Sequence, residues 1–156
     1  MMALLVAKDS RCHGVVVGEA EPNKEHYLQE LLDSRAKLGI EDAVTFVGHR
    51  SDIQNFYALS RVTCHMSNKA EPFGRTVPEA LASGCPVVAY DRGGASESLS
   101  AGFPEGLVPA DNIEAFSEKV LSLLDVPADI HLPEAFFLDY QAKETLNVYY
   151  NVLYSN

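Results

Sequence analysis

Short, nearly unbroken apolar runs recur through this chain, with helix-length patterned segments between them. The clearest are Gly14-Val-Val-Val-Gly18, Ala43-Val-Thr-Phe-Val47 before Gly48, and Pro86-Val-Val-Ala-Tyr90. A strand of this kind has no polar face to offer water, so it calls for helices on both sides, and that describes a parallel sheet. The intervening segments fit. Met1 to Arg11 reads as the end of a helix. Lys24 to Leu38 carries Leu28, Leu31, Leu32 and Leu38 among polar residues and stops at Gly39. Asp52 can cap a short helix through Leu59, and Arg61 to Met66 reads as a third strand. Pro78 to Ser83 reads as a helix ended by Gly84, Pro86 to Tyr90 as the fourth strand, and Ala95 to Ser100 as a short helix. Gly106 to Val108 reads as a short edge strand. Asn112 to Leu124 is an amphipathic helix with Ile113, Phe116, Val120, Leu121 and Leu124 on one side.

Residues 1–126 therefore read as one α/β, Rossmann-like domain with a parallel sheet and helices on both faces. Residues 127–156 read as a linker and a terminal helix. Val126 to Pro133 is punctuated by prolines, which discourage helix at the preceding residue. The helix expected from about Pro133 to Tyr154 is rich in aromatics (Phe136, Phe137, Tyr140, Tyr149, Tyr150, Tyr154), and a helix so apolar is expected to pack on something.

Charge and cysteine content narrow the function classes. The chain of 156 residues has a formal charge of −10, which argues against nucleic acid as a partner, because phosphate backbones select basic surfaces. Gly48 to Glu97 is locally neutral, with five basic and five acidic residues, so the remainder carries the whole excess. A neutral segment within an acidic shell can receive a small anion such as a nucleotide diphosphate, although chance clustering on a solubilising surface explains the charges equally well. No apolar run reaches about 18 residues, so no spanning helix is expected, and Met1 to Ala7 lacks the features of a secretory leader. Cys12, Cys64 and Cys85 have no paired spacing and sit beside apolar residues, which suits reduced, buried thiols and a cytoplasmic setting. His13, His26, His65 and His131 form no ligand spacing, so no metal site is expected.

The segment Glu71-Pro-Phe-Gly-Arg-Thr-Val-Pro-Glu79, followed by Ala80-Leu-Ala-Ser-Gly-Cys-Pro-Val-Val-Ala-Tyr-Asp-Arg-Gly-Gly94, carries the chemistry. It sets two carboxylates eight positions apart across a glycine turn and a helix start. The placement is the carboxyl end of a parallel sheet, where α/β proteins bind nucleotides. Glu71, on the loop after the third strand, is placed to accept hydrogen bonds from sugar hydroxyls. Gly74 can take positive φ and bring backbone N–H groups near a donor. Pro78 suits a first helical turn, whose positive end favours phosphate. A solvated loop carboxylate and a helix-dipole role are the plainer readings of Glu71 and Glu79. Arg75 and Arg92 suit phosphate or sugar contacts and surface charge equally.

This segment resembles the E-x7-E signature in the C-terminal, donor-binding domain of retaining glycosyltransferases of family four, which have the two-domain GT-B architecture. The likeness runs from Gly14 to Leu124 and takes in Val16-Val17-Gly18, Val44 to Gly48, the block from Glu79 to Val88, and Gly93-Gly94 with Glu97. It implies a transferase acting on a nucleotide-diphosphate sugar. Glu71 would be the catalytic residue, Phe73, Gly74 and Arg75 would meet donor sugar and phosphate, and Glu79 would bind the ribose hydroxyls. Gly48, His49 and Arg50 would receive the base, and Gly18, Gly93 and Gly94 would line the cleft. The resemblance further implies retention by front-face substitution, no metal and no other cofactor, and a setting in cell-envelope polysaccharide synthesis. The family's N-terminal acceptor domain and the first strand of its donor domain have no counterpart here. A fragment that binds without turnover is therefore expected, with membrane association arising only through the full-length protein. Two other readings stand: a sugar-nucleotide epimerase of the same fold, and a degenerate interaction module. A flavodoxin-like signalling domain is disfavoured, because no acidic pocket follows the first strand.

Overall fold

A computed structural model describes residues 1–20, 22, 24–126 and 128–154. In chain order they form α1 (Met2–Lys8), β1 (Gly14–Val17), α2 (Glu25–Lys37), β2 (Val44–Gly48), α3 (Ile53–Leu59), β3 (Thr63–His65), α4 (Thr76–Ala82), β4 (Val87–Tyr90), α5 (Gly93–Gly102), β5 (Leu107–Val108), α6 (Ile113–Leu124) and α7 (Leu138–Tyr154). Every strand pairing is parallel. The result is a Rossmann-like α/β arrangement, as the apolar runs lead one to expect.

β4 shows why those runs fold as they do. All four of its residues are buried, and successive side chains leave opposite faces. Val87 and Ala89 join Tyr57, Val77, Leu81 and Leu99 of α3, α4 and α5. Val88 and Tyr90 join Leu5 of α1, Val108 of β5, and Phe116 and Val120 of α6. The Phe116 ring meets Tyr90 edge-on at 5.2 Å between centroids, a favoured aromatic geometry. α6 is fixed at its start by Asn112, whose side-chain oxygen accepts the Ala115 N–H at 2.9 Å.

The single sheet expected from the sequence is instead two, ordered β1-β2 and β3-β4-β5. β1 is accordingly not the buried strand its composition suggests: Val15 is 49% and Val16 41% exposed. It has one partner strand, β2. Cys64 of β3 is likewise exposed, Cys12 half-buried, and only Cys85 buried, so burial of all three thiols is corrected.

Helix boundaries shift for local reasons. α4 begins two residues before Pro78, and α5 takes in Gly93 and Gly94, both expected in a loop. The final helix starts at Leu138, because Phe137 is extended (φ −81°, ψ 140°) after a 3-10 turn at Glu134–Phe136. α7 buries none of its described residues against this chain, so the part of it expected to cover the sheet does not; Tyr149 and Tyr150 are more than half exposed. The segment before it does pack. Ala128, Ile130 and Leu132 lie against the α4–α5 core, and the His131 N–H donates to the Gly102 carbonyl at 3.2 Å.

Candidate functional site

Loops at the carboxyl ends of β3 and β4 meet through backbone. The Gly94 N–H, in the first turn of α5, donates to the Glu71 carbonyl at 2.8 Å. A Cβ on Gly94 would stand 2.5 Å from the Phe73 Cα and 2.7 Å from its nitrogen. Gly74, with φ +64°, also lies close to α5, where a Cβ would stand 3.0 Å from the Ala95 nitrogen. The glycines of the two loops thus let one backbone lie directly on the other. This contact fixes where the Glu71 side chain departs from the surface.

The Glu71 carboxylate is partly exposed, with Oε1 3.7 Å from Nε2 of His65. The other ring nitrogen of His65 lies 3.1 Å from Oγ1 of Thr76, the first residue of α4. Three residues on, Glu79 presents its carboxylate from the same helix. Its Oε1 is 3.4 Å from Nη2 of Arg75. Burial, and then the Glu79 carboxylate, push the Tyr57 phenol up from its ordinary range. Because α4 starts early, the Val77 and Glu79 N–H groups already donate to Gly74 and Arg75 carbonyls, and Pro78 has none to give. A phosphate would have to find its donors elsewhere on this turn.

Gly18 and Gly48 meet at the carboxyl ends of β1 and β2, where the Gly18 N–H donates to the Gly48 carbonyl at 2.8 Å. Gly48 takes φ +70°, and His49 beyond it is exposed. Arg50 binds Asp52 through two contacts of 2.9 and 3.0 Å and lies over the Phe56 ring. That pairing holds the Asp52 carboxyl below the usual carboxylate range. It also takes up the carboxylate, so Asp52 stands at the start of α3 without capping it through its side chain.

The candidate residues therefore fall in two groups on two sheets. Glu71, Phe73, Gly74, Arg75, Glu79, Gly93 and Gly94 gather around β3 and β4, while Gly18, Gly48, His49 and Arg50 gather at β1 and β2. Arg92 is a brace: its guanidinium donates to the Asn68 carbonyl and to Asp111 Oδ2, each at 2.5 Å. Asp111 adopts φ +61°, a strained setting for a non-glycine residue. Replacing Arg92 with alanine is expected to loosen the loop from Ser67 to Ala70, read as faster amide exchange there with little change at β4. A cavity of about 450 Å³ opens elsewhere, at the amino end of β4 between Ser60, Gly84, Pro86 and Leu123. It does not touch Glu71 or Glu79. His65 and Thr76 were not legible as site residues; the one sequence signal for His65 is its place at the carboxyl end of a strand, just ahead of the Glu71 loop.

Residues 1–136 match the model of the family described as glycosyl transferases group 1. The lipopolysaccharide core biosynthesis mannosyltransferase LpsB of Rhizobium meliloti is 33% identical over 128 residues, covering 80% of this chain and 36% of LpsB. Among solved structures, HepE of Anabaena in complex with UDP is 27% identical with a TM-score of 0.68, covering 94% of this chain and 44% of HepE. A glycosyltransferase of Rickettsia africae is 24% identical with a TM-score of 0.81, covering 99% of this chain and 44% of its own, and attests the fold. The chain thus spans less than half the length of these relatives. With the Rossmann-like fold of its GT-B neighbours, this chain belongs to the glycosyl transferases group 1 family.

Proposed function

We propose that this chain binds the nucleotide-diphosphate sugar donor for retaining, metal-independent transfer to a saccharide or lipid-linked acceptor, in cell-envelope polysaccharide synthesis. The observation that carries this is the placement of two partly exposed carboxylates, Glu71 and Glu79, on a loop and helix joined at the carboxyl end of β3 and β4. In such a transfer the sugar becomes oxocarbenium-like while charge builds on the leaving diphosphate. Rate then depends on sugar hydroxyls held in place and donors aimed at phosphate oxygens. Glu71 holds the sugar hydroxyls. Glu79 accepts from both ribose hydroxyls, which a carboxylate with two oxygens can do at once. Front-face substitution, with the leaving phosphate taking the acceptor's proton, requires no protein nucleophile. The names of the relatives, a mannosyltransferase and a UDP-binding protein, support the reaction class and the donor type. The residues described here are proposed to bind the donor without transferring it on their own.

Affinities for free nucleotide and nucleotide sugar test the division of labour. Glu79→Gln is expected to weaken both ligands by roughly tenfold to a hundredfold, the range for a hydrogen bond to a charged group. Glu71→Gln is expected to weaken the nucleotide sugar alone. Equal affinity of Glu79→Gln and the parent chain would remove ribose recognition. A second reading, a module that keeps the fold without binding donor, draws on one observation: Arg50, Arg75 and Arg92 all face carboxylates. It predicts no nucleotide binding at all.

A further inference from the structure

We propose that His65 is the positioning residue for Glu71, through an imidazole protonated on Nε2 and accepting at Nδ1 from the Thr76 hydroxyl. The consequence for ligand binding rests on the donor-binding reading above; the tautomer and the contact do not. His65 closes β3, and its side chain is 13% exposed. Both ring nitrogens face partners: Nδ1 is 3.1 Å from Oγ1 of Thr76, and Nε2 is 3.7 Å from Oε1 of Glu71. One ring therefore spans the end of β3, the loop that carries Glu71, and the first residue of the helix that carries Glu79.

Between the two neutral tautomers, the chemistry of the partners decides. An ionised carboxylate only accepts, whereas a hydroxyl can donate or accept. With the proton on Nδ1, the ring would donate to Thr76 and turn a lone pair toward a carboxylate oxygen, which is repulsive. With the proton on Nε2, the ring donates toward Glu71 and accepts from Thr76, so every group has a complementary partner. At 3.7 Å the His65–Glu71 contact is electrostatic, and a small inward movement of the carboxylate on ligand binding would make it a hydrogen bond. It engages one carboxylate oxygen and leaves the other for a sugar hydroxyl. Thr76 in turn fixes the ring against α4, which ties the setting of Glu71 to the helix that bears Glu79.

The ring tautomer of the ligand-free chain, read from the imidazole nitrogen resonances of a ¹⁵N-labelled sample, is the first arm of the test. An Nε2–H ring whose signals shift on Glu71→Gln and change tautomer balance on Thr76→Val is the expected result. An Nδ1–H ring, or signals indifferent to Glu71→Gln, would overturn the proposal. The second arm is calorimetric titration with UDP and UDP-glucose. His65→Ala is expected to weaken UDP-glucose roughly tenfold with UDP unchanged, and His65→Gln, whose amide N–H can replace the Nε2 donor, to restore it. Equal weakening of both ligands, or no rescue by glutamine, would mean that His65 serves the fold alone. A parent chain that binds neither ligand defeats the donor reading instead, and the tautomer arm then decides the positioning role by itself.

Discussion

Replacing Gly94 with alanine is expected to weaken donor binding at least tenfold and to destabilise the domain by about 1–3 kcal/mol, as overpacking does. The added methyl would stand 2.5–2.7 Å from the Cα, carbonyl carbon and nitrogen of Phe73. All three are backbone atoms, so no side chain can swing aside to make room. Either the start of α5 retreats or the loop from Glu71 to Gly74 lifts, and both break the 2.8 Å bond from the Gly94 N–H to the Glu71 carbonyl. Lifting that loop carries the Glu71 carboxylate away from His65 and out of register with Glu79. Binding should therefore fall at least tenfold, more than a stability loss of this size explains in a chain that is still folded. Calorimetric titration beside a thermal melt separates the two effects. Unchanged melting and unchanged affinity would show that the two loops do not touch as described.

Phe116→Ala is expected to produce the largest loss of stability among single substitutions away from the site. Phe116 is fully buried, packs edge-on against Tyr90, and joins α6 to one face of β4 together with Leu5, Val88, Val108 and Val120. Truncating a buried phenylalanine removes its transfer free energy and leaves a cavity, together about 3–5 kcal/mol. For a domain of this size that lowers the melting temperature by roughly 6–20 °C. A loss below about 1 kcal/mol would mean that α6 does not close this side of the sheet. Nucleotide affinity, measured well below the mutant's melting point, should stay within a few-fold of the parent, because Phe116 packs on the face of β4 opposite α4, the helix that carries Glu79.

The contrast between β4 and β1 shows what the sequence could reveal. Val-Val-Ala-Tyr and Gly-Val-Val-Val read alike, and both do form parallel strands. Burial is another matter, because it depends on what lies beside and above a strand. β4 is flanked by β3 and β5 and covered on both faces, whereas β1 has β2 alone. A run of valines carries no record of that difference. Gly93-Gly94 was readable as a special backbone site but not as the start of a helix. The reason for glycine there is the Phe73 backbone, some twenty residues distant in sequence. α7 was legible as an aromatic helix, and its exposure was not, since amphipathic pattern says only that a face is available.

The two carboxylates were the most legible part of the candidate site, because their spacing puts one on a loop and the other in the next helix. His65 was not, because its meaning comes from facing Thr76 and Glu71 in space. The arginines were ambiguous for the same reason. A positive charge in a sequence does not say whether a ligand or a nearby aspartate will meet it, and Arg50 and Arg92 each face an aspartate.

Nucleotide binding at Glu79 is read out by thermal stabilisation with UDP, GDP, ADP and CDP at millimolar concentration. A nucleotide at 100 times its dissociation constant stabilises a folded domain by about 2.7 kcal/mol, a shift of several degrees here. A shift with one nucleotide that disappears in Glu79→Gln is the expected result. The same melting temperature with all four nucleotides would contradict it, and would leave a chain that keeps the family's fold without binding the donor.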